Sequence, residues 1–207
     1  VYGKRPLAWA EECGWVGPDV WYAHGIHFTD EEVDVLAKTQ TGVAHCPVSN
    51  MKLSSGICKV PLMLEKGVPV GLAVDGNGSN DASNLLAEIR IAYLLHRLNS
   101  SNAAPTGYEI LKMATVGSAK VLGRDDIGSI AVGKAGDLFA IDVNKLELVG
   151  GLMDPASFLG TIGYTYPVAF TVINGKVVCK DGVLTGIDEA KIKEQAEKEV
   201  AKVYQNL

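Results

Sequence analysis

Three ionisable residues, His24, His45 and Asp75, each follow a short apolar run of the sequence. In a parallel α/β barrel the carboxyl ends of the strands meet at one mouth, where catalytic side chains lie. Imidazole and carboxylate groups held together there could bind a divalent cation, activate water or transfer a proton. Because the three positions are equivalent in successive units, we expect one catalytic site rather than three unrelated structural residues.

Asp75 is the most informative of the three residues. The apolar run 68–74 that precedes it has β-strand character, and glycines punctuate the segment 76–81 that follows. A carboxylate at the end of a barrel strand is a candidate metal ligand and a candidate general base, although an aspartate there could also cap a helix. The segment lacks the Gly-Lys-Ser/Thr ending and the GxGxxG spacing of phosphate-binding loops, which argues against nucleotide binding.

The histidines need a separate interpretation, because a single histidine at a strand end is often a structural residue. His24 and His27 lie three residues apart in an extended segment, where such residues face opposite sides, so only one points inward. We assign His24 to the site because it lies nearer the strand. His45 closes the second apolar run, and His96 falls within a predicted helix as a surface or core residue.

The segment 47–56 is polar, long and ends in glycine. After a barrel strand this composition is typical of a loop that contacts substrate, and the loop contributes Asn50 as a candidate. The alternative is a packed connector in which Ser49 and Asn50 satisfy backbone groups.

The elements that must position these residues alternate along the first part of the chain. Strands are predicted over residues 19–23, 42–46 and 68–74. Helices are predicted over residues 2–13, 29–37, 60–66, 83–98 and 106–120. This alternation predicts a parallel α/β fold. Because a barrel of this kind needs eight strands, we expect the chain to be the C-terminal part of a longer barrel.

The second part of the sequence has a different texture. Asn174-Gly175 between two β-branched runs predicts a hairpin, and residues 188–204 predict a terminal amphipathic helix. The predicted domains are therefore residues 1–123, which form the barrel part, and residues 124–207, which form a small antiparallel β-sandwich part with a terminal helix.

Composition narrows the classes of partner. The 207 residues carry a net charge of -5, which argues against nucleic acid and anionic membranes, and 47% are hydrophobic, enough for a core. No apolar run approaches the roughly 20 residues of a membrane span, and the start has no apolar signal core. Four cysteines without CxxC spacing predict reduced thiols. We expect a cytoplasmic protein with a small-molecule partner.

With these positions in hand, the chain resembles the amidohydrolase superfamily, in the branch of metal-dependent aminohydrolases that deaminate nitrogen heterocycles. The matching segments are AHGIHFTDEE (23–32), AHCPVSNMKLSSG (44–56), GLAVDGNGSND (71–81), GSIAVGKAGD (128–137) and VINGK (172–176). Three further segments look most like the 8-oxoguanine and hydroxyatrazine deaminase group: YGKRP (2–6), GWVGPDVW (14–21) and RDDIGS (124–129).

The resemblance implies a distorted (β/α)8 barrel that holds one divalent metal ion, zinc with iron as the alternative. It implies that His24 orients and polarises the attacking water, and that Asp75 contacts the metal and shuttles the proton of that water. His45 and Asn50 are assigned to substrate binding, with a role for His45 behind the metal-contacting residues as the alternative. The implied reaction is hydrolytic deamination of a heterocycle, either purine-like such as 8-oxoguanine or a hydroxy-triazine.

The resemblance also identifies groups that these 207 residues lack. The family's His-x-His pair and its fifth-strand histidine with a nearby glutamate find no match, since all four histidines are accounted for. A catalytic zinc ion takes about three protein ligands, and Asp75 supplies one. We therefore expect the chain to be inactive alone and to need the N-terminal part of the same enzyme. A homo-oligomer remains an open alternative.

Two other functions remain open from the sequence. The barrel could hydrolyse a triazine with chloride or an alkylamine as the leaving group. It could also be a relative that has lost its metal and serves as a scaffold. The presence of both His24 and Asp75 favours an enzyme over a scaffold.

Overall fold

The computed structural model describes residues 3–205. The first residue of the helix predicted over 2–13 therefore lies outside the described residues. The chain forms two compact units. One unit takes in the chain up to Lys134 together with Asn144–Thr165, and the other takes in Ala135–Val143 together with the chain from Tyr166 onward.

The first unit contains a three-stranded parallel sheet. Its strands are β1 (Trp21–Ala23), β2 (Gly42–His45) and β3 (Val70–Leu72), in the order β1-β2-β3. Every residue of the central strand β2 is buried, as expected for a parallel sheet covered on both faces. The sheet confirms the predicted parallel fold, with strands shorter than predicted.

Helices connect and follow these strands as the alternation predicts. They are α1 (Pro6–Glu12), α2 (Asp30–Thr39), α3 (Pro47–Lys52), α4 (Val60–Glu65), α5 (Asn77–Asn80) and α6 (Leu85–Ser100). Thr29 caps α2, and its capping box with Glu32 is complete, as the sequence predicts. The prediction of a loop over 47–56 is wrong for the first half of this segment, because α3 forms there. Proline stands at the start of α3, where the helix needs no backbone N–H.

The last helical run of this unit bends to reach the sheet. It comprises α7 (Gly107–Lys112), a π-helical turn (Met113–Gly117) and α8 (Ser118–Val121), where one regular helix is predicted. A Cβ atom on Gly117 would lie 2.4 Å from the carbonyl oxygen of Val70, so only glycine allows this approach. The Ser118 hydroxyl accepts from the N–H of Leu72 and donates to its carbonyl oxygen, which covers part of the outer edge of β3.

A short helix, α9 (Phe158–Thr161), joins the first unit from far along the chain. A Cβ atom on Gly160 would lie 2.7 Å from Cα of Gly107, so α9 and α7 touch backbone to backbone. Arg90 of α6 also donates to the carbonyl oxygens of Gly160 and Thr161. These contacts place residues 144–165 with the barrel part. The predicted division between residues 123 and 124 stays a prediction.

The second unit is an antiparallel sheet followed by a helix. Its strands are β4 (Leu138–Ala140), β5 (Phe170–Ile173), β6 (Lys176–Lys180) and β7 (Val183–Leu184), and the helix is α10 (Glu189–Gln205). Asn174 and Gly175 have φ angles of 48° and 74°, the left-handed conformations that a type I′ hairpin turn requires. The predicted antiparallel unit, hairpin and terminal helix are confirmed. Among helices of residues 3–205, none has the length and apolar composition to cross a membrane.

Candidate active site

His24 and Asp75 face each other beyond the carboxyl ends of β1 and β3. His24 Nε2 lies 3.9 Å from Asp75 Oδ2, and their side chains are 39% and 32% exposed. Both residues have a φ angle of 66°, in the left-handed region that L-residues other than glycine adopt infrequently. The structure thus brings together the two residues that the sequence singled out for catalysis, while their catalytic roles stay predictions.

The Asp75 carboxylate accepts three hydrogen bonds. Ser49 Oγ donates to Oδ2 over 2.5 Å, Ser79 Oγ donates to Oδ2 over 2.9 Å, and the N–H of Gly76 donates to Oδ1 over 2.7 Å. The Ser49 hydroxyl, followed by the Gly76 amide and the Ser79 hydroxyl, holds the pKa of Asp75 below its usual value. Gly76, not Asp75, is the N-cap of α5. Asp75 is therefore a fixed, ionised carboxylate rather than the helix cap that the sequence left open.

Asn50 holds the other ring nitrogen of His24. His24 Nδ1 lies 2.8 Å from Asn50 Oδ1, and Asn50 is 1% exposed. An amide oxygen only accepts hydrogen bonds, so this contact assigns the proton of the neutral ring to Nδ1. Nε2, the nitrogen that faces Asp75, then presents its lone pair as a hydrogen-bond acceptor. The predicted substrate contact of Asn50 stays a prediction, and the structure places the side chain behind His24.

His45 points into the interior, where it meets His96. The two Nε2 atoms lie 3.1 Å apart, and both residues are fully buried. Burial lowers the pKa of His45 to about 3, with smaller contributions from His96 and His24, and burial lowers that of His96 to about 4. Both rings are therefore neutral, and one of the two Nε2 atoms donates its hydrogen to the other. His96 is a core residue, and substrate binding by His45 stays a prediction.

A second polar cluster was missed from the sequence. Glu88, on α6, accepts from the N–H of Val48 over 3.2 Å and from Nδ2 of Asn80. Glu88 is 1% exposed, and burial raises the pKa of its carboxyl group. The signal was present in the sequence, because Glu88 shares the apolar face of α6 with Ala92 and Leu95, four and seven residues on.

A cavity of about 630 Å³ opens beside His24. Its walls come from α1, from β1 and from the turn that follows β1, and they include Leu7, Tyr22 and Phe28. Arg5 and Glu32 also line it and form an ion pair, which holds the pKa of Glu32 below its usual value. The candidate site therefore has a largely apolar space next to its histidine.

Metal-binding capacity in this chain is partial. Within residues 3–205, no three His, Cys, Asp or Glu side chains come together as a group that could hold a metal ion. Asp75 offers an ionised carboxylate, the oxygen donor that divalent cations accept, and His24 Nε2 is the nearest imidazole nitrogen. The residues present thus fit part of a metal site and would leave the remaining ligands to other residues.

Parallel strands joined by helices, with ionisable groups beyond their carboxyl ends, define part of an α/β barrel. The model of the amidohydrolase family matches residues 2–178. The chain belongs to the amidohydrolase family, and the resemblance stated from its motifs is confirmed.

Two curated relatives are similar over most of this chain. Hydroxydechloroatrazine ethylaminohydrolase of Pseudomonas sp. (strain ADP) is 46% identical over 199 residues, covering 95% of this chain and 41% of that protein. 8-Oxoguanine deaminase of Pseudomonas aeruginosa is 41% identical over 191 residues, covering 92% of this chain and 42% of that protein. The chain spans less than half the length of these relatives.

Solved structures support the same fold. An adenosine deaminase from Xanthomonas campestris with bound zinc has a TM-score of 0.90 at 30% identity, covering 99% of this chain and 47% of that one. Atrazine chlorohydrolase from Arthrobacter aurescens complexed with zinc has a TM-score of 0.90 at 31% identity, covering 95% and 44%. The predicted barrel part is therefore confirmed.

Proposed function

We propose that the complete protein to which this chain belongs is a metal-dependent hydrolase that deaminates a nitrogen heterocycle. The observation that carries the proposal is the 3.9 Å approach of His24 Nε2 to Asp75 Oδ2 beyond the parallel strands. The substrate would be purine-like, as for the 8-oxoguanine deaminase, or a hydroxy-triazine, as for the ethylaminohydrolase.

Asp75 and His24 have different roles in the proposed reaction. One divalent ion, zinc or iron, would supply the Lewis acidity that activates water near neutral pH, with Asp75 as one ligand. Asp75, ionised and restrained, accepts a proton from the attacking water. His24 uses Nε2 to orient that water, while Asn50 keeps the proton of the ring on Nδ1. Ammonia leaves once its nitrogen is protonated by a group outside these 207 residues.

The remaining ligands would come from the N-terminal part of the same enzyme. In the sheet formed by the described residues, β1 pairs with β2 alone, so its other edge is available to a further strand. The cavity beside β1 has mostly apolar walls and includes His24. Residues preceding Val1 would extend the sheet from β1 and complete both the barrel and the metal site.

A second candidate reaction changes only the leaving group. The 46% identity with hydroxydechloroatrazine ethylaminohydrolase favours release of ethylamine from a triazine. The similarity to atrazine chlorohydrolase favours release of chloride. Asp75 and His24 would keep the same roles, because each reaction begins with attack by water on a ring carbon.

A substrate panel tests the proposal. The complete enzyme, purified with its metal and measured with and without a chelator, is offered 8-oxoguanine and amino-, ethylamino- and chloro-substituted triazines. We expect about one metal ion per chain and chelator-sensitive release of ammonia. Release of ethylamine or chloride instead would select the second candidate. A protein with neither metal nor turnover would be a scaffold and would contradict the proposal.

A further inference from the structure

The buried carboxyl group of Glu88 lies between the two segments that carry the candidate catalytic machinery. One segment is α3, which follows β2 and carries Ser49 and Asn50; the other is 75–81, which follows β3. Glu88 stands in the first turn of α6 and belongs to neither. Its two oxygens bind one segment each.

The first contact fixes the beginning of α3. Glu88 Oε2 accepts from the N–H of Val48 over 3.2 Å. This N–H belongs to the first turn of α3, where no carbonyl of the helix can accept from it. The next two residues are Ser49, which donates to Asp75, and Asn50, which contacts His24. Glu88 thus binds the backbone of Val48, which is next in sequence to Ser49, a hydrogen-bond partner of Asp75.

The second contact fixes the segment that follows Asp75. Glu88 Oε1 accepts from Nδ2 of Asn80, which also donates to the carbonyl oxygen of Val74 over 2.7 Å. Asn80 Oδ1 in turn accepts from the N–H groups of Ala82 and Ser83. Asn80 therefore holds the chain on both sides of Asp75, and Glu88 accepts from the same amide nitrogen that holds Val74.

We propose that Glu88 is a positioning residue that sets the separation of His24 and Asp75 by joining α3 to the segment 75–81 through Val48 and Asn80. The inference rests on the proposed hydrolase function, because it assigns Glu88 to that site. A carboxylate suits the position because it accepts on both oxygens, and both neighbouring groups are donors.

The amide variant Glu88→Gln is the sharpest probe. Its oxygen can still accept from Val48, but its NH2 group then faces the NH2 group of Asn80, and two donors oppose each other. Either Asn80 turns over and releases Val74, or its contact with residue 88 is lost, and in both cases α3 and the segment 75–81 are no longer joined. In the complete enzyme we expect kcat to fall at least tenfold while KM changes less than threefold and metal content stays the same.

Hydrogen exchange gives a readout that does not depend on turnover. In Glu88→Gln we expect backbone amides in both 46–52 and 73–82 to exchange faster. The matched control is Glu109→Gln, because Glu109 also accepts two hydrogen bonds in the first turn of a helix, from the N–H and hydroxyl groups of Thr106. That variant should loosen only the start of α7 and leave kcat within twofold of the parent.

A rescue variant separates positioning from general loss of stability. Adding Asn80→Asp to Glu88→Gln restores an acceptor that faces the new amide, but the carbonyl oxygen of Val74 then loses its donor. We expect the double variant to recover part of kcat and to slow exchange in 46–52, whereas exchange in 73–82 stays fast. If Glu88→Gln does not fold, Asn80→Ala breaks the same connection from its other end and should lower kcat likewise.

The outcomes are distinct for the inference and for the proposed function. A folded Glu88→Gln or Asn80→Ala enzyme with kcat within twofold of an active parent overturns the inference and leaves the hydrolase intact. Unchanged exchange in both segments overturns it as well. A parent enzyme without metal-dependent turnover instead removes the proposed function, and faster exchange would then support Glu88 only as the connection between the two segments.

Discussion

At the scale of single residues, both candidate catalytic groups are restrained by small polar neighbours. Asp75 is held on Oδ2 by the hydroxyl groups of Ser49 and Ser79 and on Oδ1 by the N–H of Gly76. His24 is held at Nδ1 by Asn50. Groups whose orientation is fixed before substrate arrives need little reorganisation during reaction. Catalysis should therefore be sensitive to changes in these neighbours as well as in His24 and Asp75.

Asp75→Asn should abolish turnover and leave the fold intact. An amide keeps an acceptor for the Gly76 N–H, but it cannot take a proton from water, a role whose loss costs about a hundredfold to ten-thousandfold in rate. The measurement is kcat of the complete enzyme with circular dichroism as the check on folding. Asp81→Asn, an exposed aspartate of the same segment paired with Lys52, is the control and should stay near the parent rate. An Asp75→Asn rate within tenfold of the parent would remove Asp75 from the mechanism.

Asn50→Ala should lower kcat with metal still bound. The variant removes the acceptor that places the proton of His24 on Nδ1, and loss of such a supporting hydrogen bond typically costs about 10–100-fold. Steady-state kinetics with elemental analysis of the same sample make the measurement. A folded variant with parental kcat would show that Asn50 does not orient His24. Loss of metal would instead indicate that His24 is a ligand.

At the scale of elements, capping residues in the sequence predict where two helices begin, whereas tertiary contacts determine the π-helical turn and the start of α3. The capping boxes of Thr29 with Glu32 and Thr106 with Glu109 are both present, as the sequence indicates. The π-helical turn before Ser118 was not predictable, because it depends on a close approach of the helix to β3. The same holds for α3, whose first turn is completed by a carboxylate 40 residues away.

The buried pair of His45 and His96 should make the protein sensitive to acid. The pKa values of His45 and His96 lie below the ordinary 6.5, at about 3 and about 4. Between pH 6.5 and these values the unfolded chain therefore binds more protons than the folded one. Stability from this pair is present in full above pH 6.5 and is lost as the pH falls toward 4. The urea midpoint of the complete protein, measured from pH 7.5 to 4, should therefore decrease.

The variant His96→Phe isolates this contribution. It keeps a ring at the position and removes one titrating group, so its urea midpoint should fall less steeply between pH 6.5 and 4 than that of the parent. Aspartates and glutamates titrate in both proteins and cancel in the comparison. Parallel curves for parent and variant would contradict the assignment of acid sensitivity to the pair.

At the scale of the whole molecule, the sequence predicts the architecture better than the connections within it. Alternating apolar runs and helices indicate the parallel unit, and Asn174-Gly175 indicates the hairpin of the antiparallel unit. The return of α9 to α6 and α7 was not predictable, because it depends on close packing at Gly107 and Gly160. The pairing of His45 with His96 joins residues 51 apart and carries no local signal.

Zinc content should depend on the residues that precede Val1. The described residues bring no three metal-binding side chains together, and a catalytic zinc ion takes about three protein ligands. After dialysis we expect far less than one zinc ion on the 207-residue chain and about one on the complete enzyme. Adding the separate N-terminal part should raise the amount of zinc that the 207-residue chain retains after dialysis. Stoichiometric zinc on that chain alone, lost in Asp75→Asn, would contradict this expectation.

The left-handed backbone shared by His24 and Asp75 has a consequence for directed evolution. That conformation costs an ordinary L-residue about 1–2 kcal/mol, whereas glycine adopts it freely. A library screened only for heat resistance should therefore enrich glycine at these two positions, which stabilises the fold and removes the proposed catalytic groups. Selection must include turnover if a thermostable descendant is to keep its chemistry.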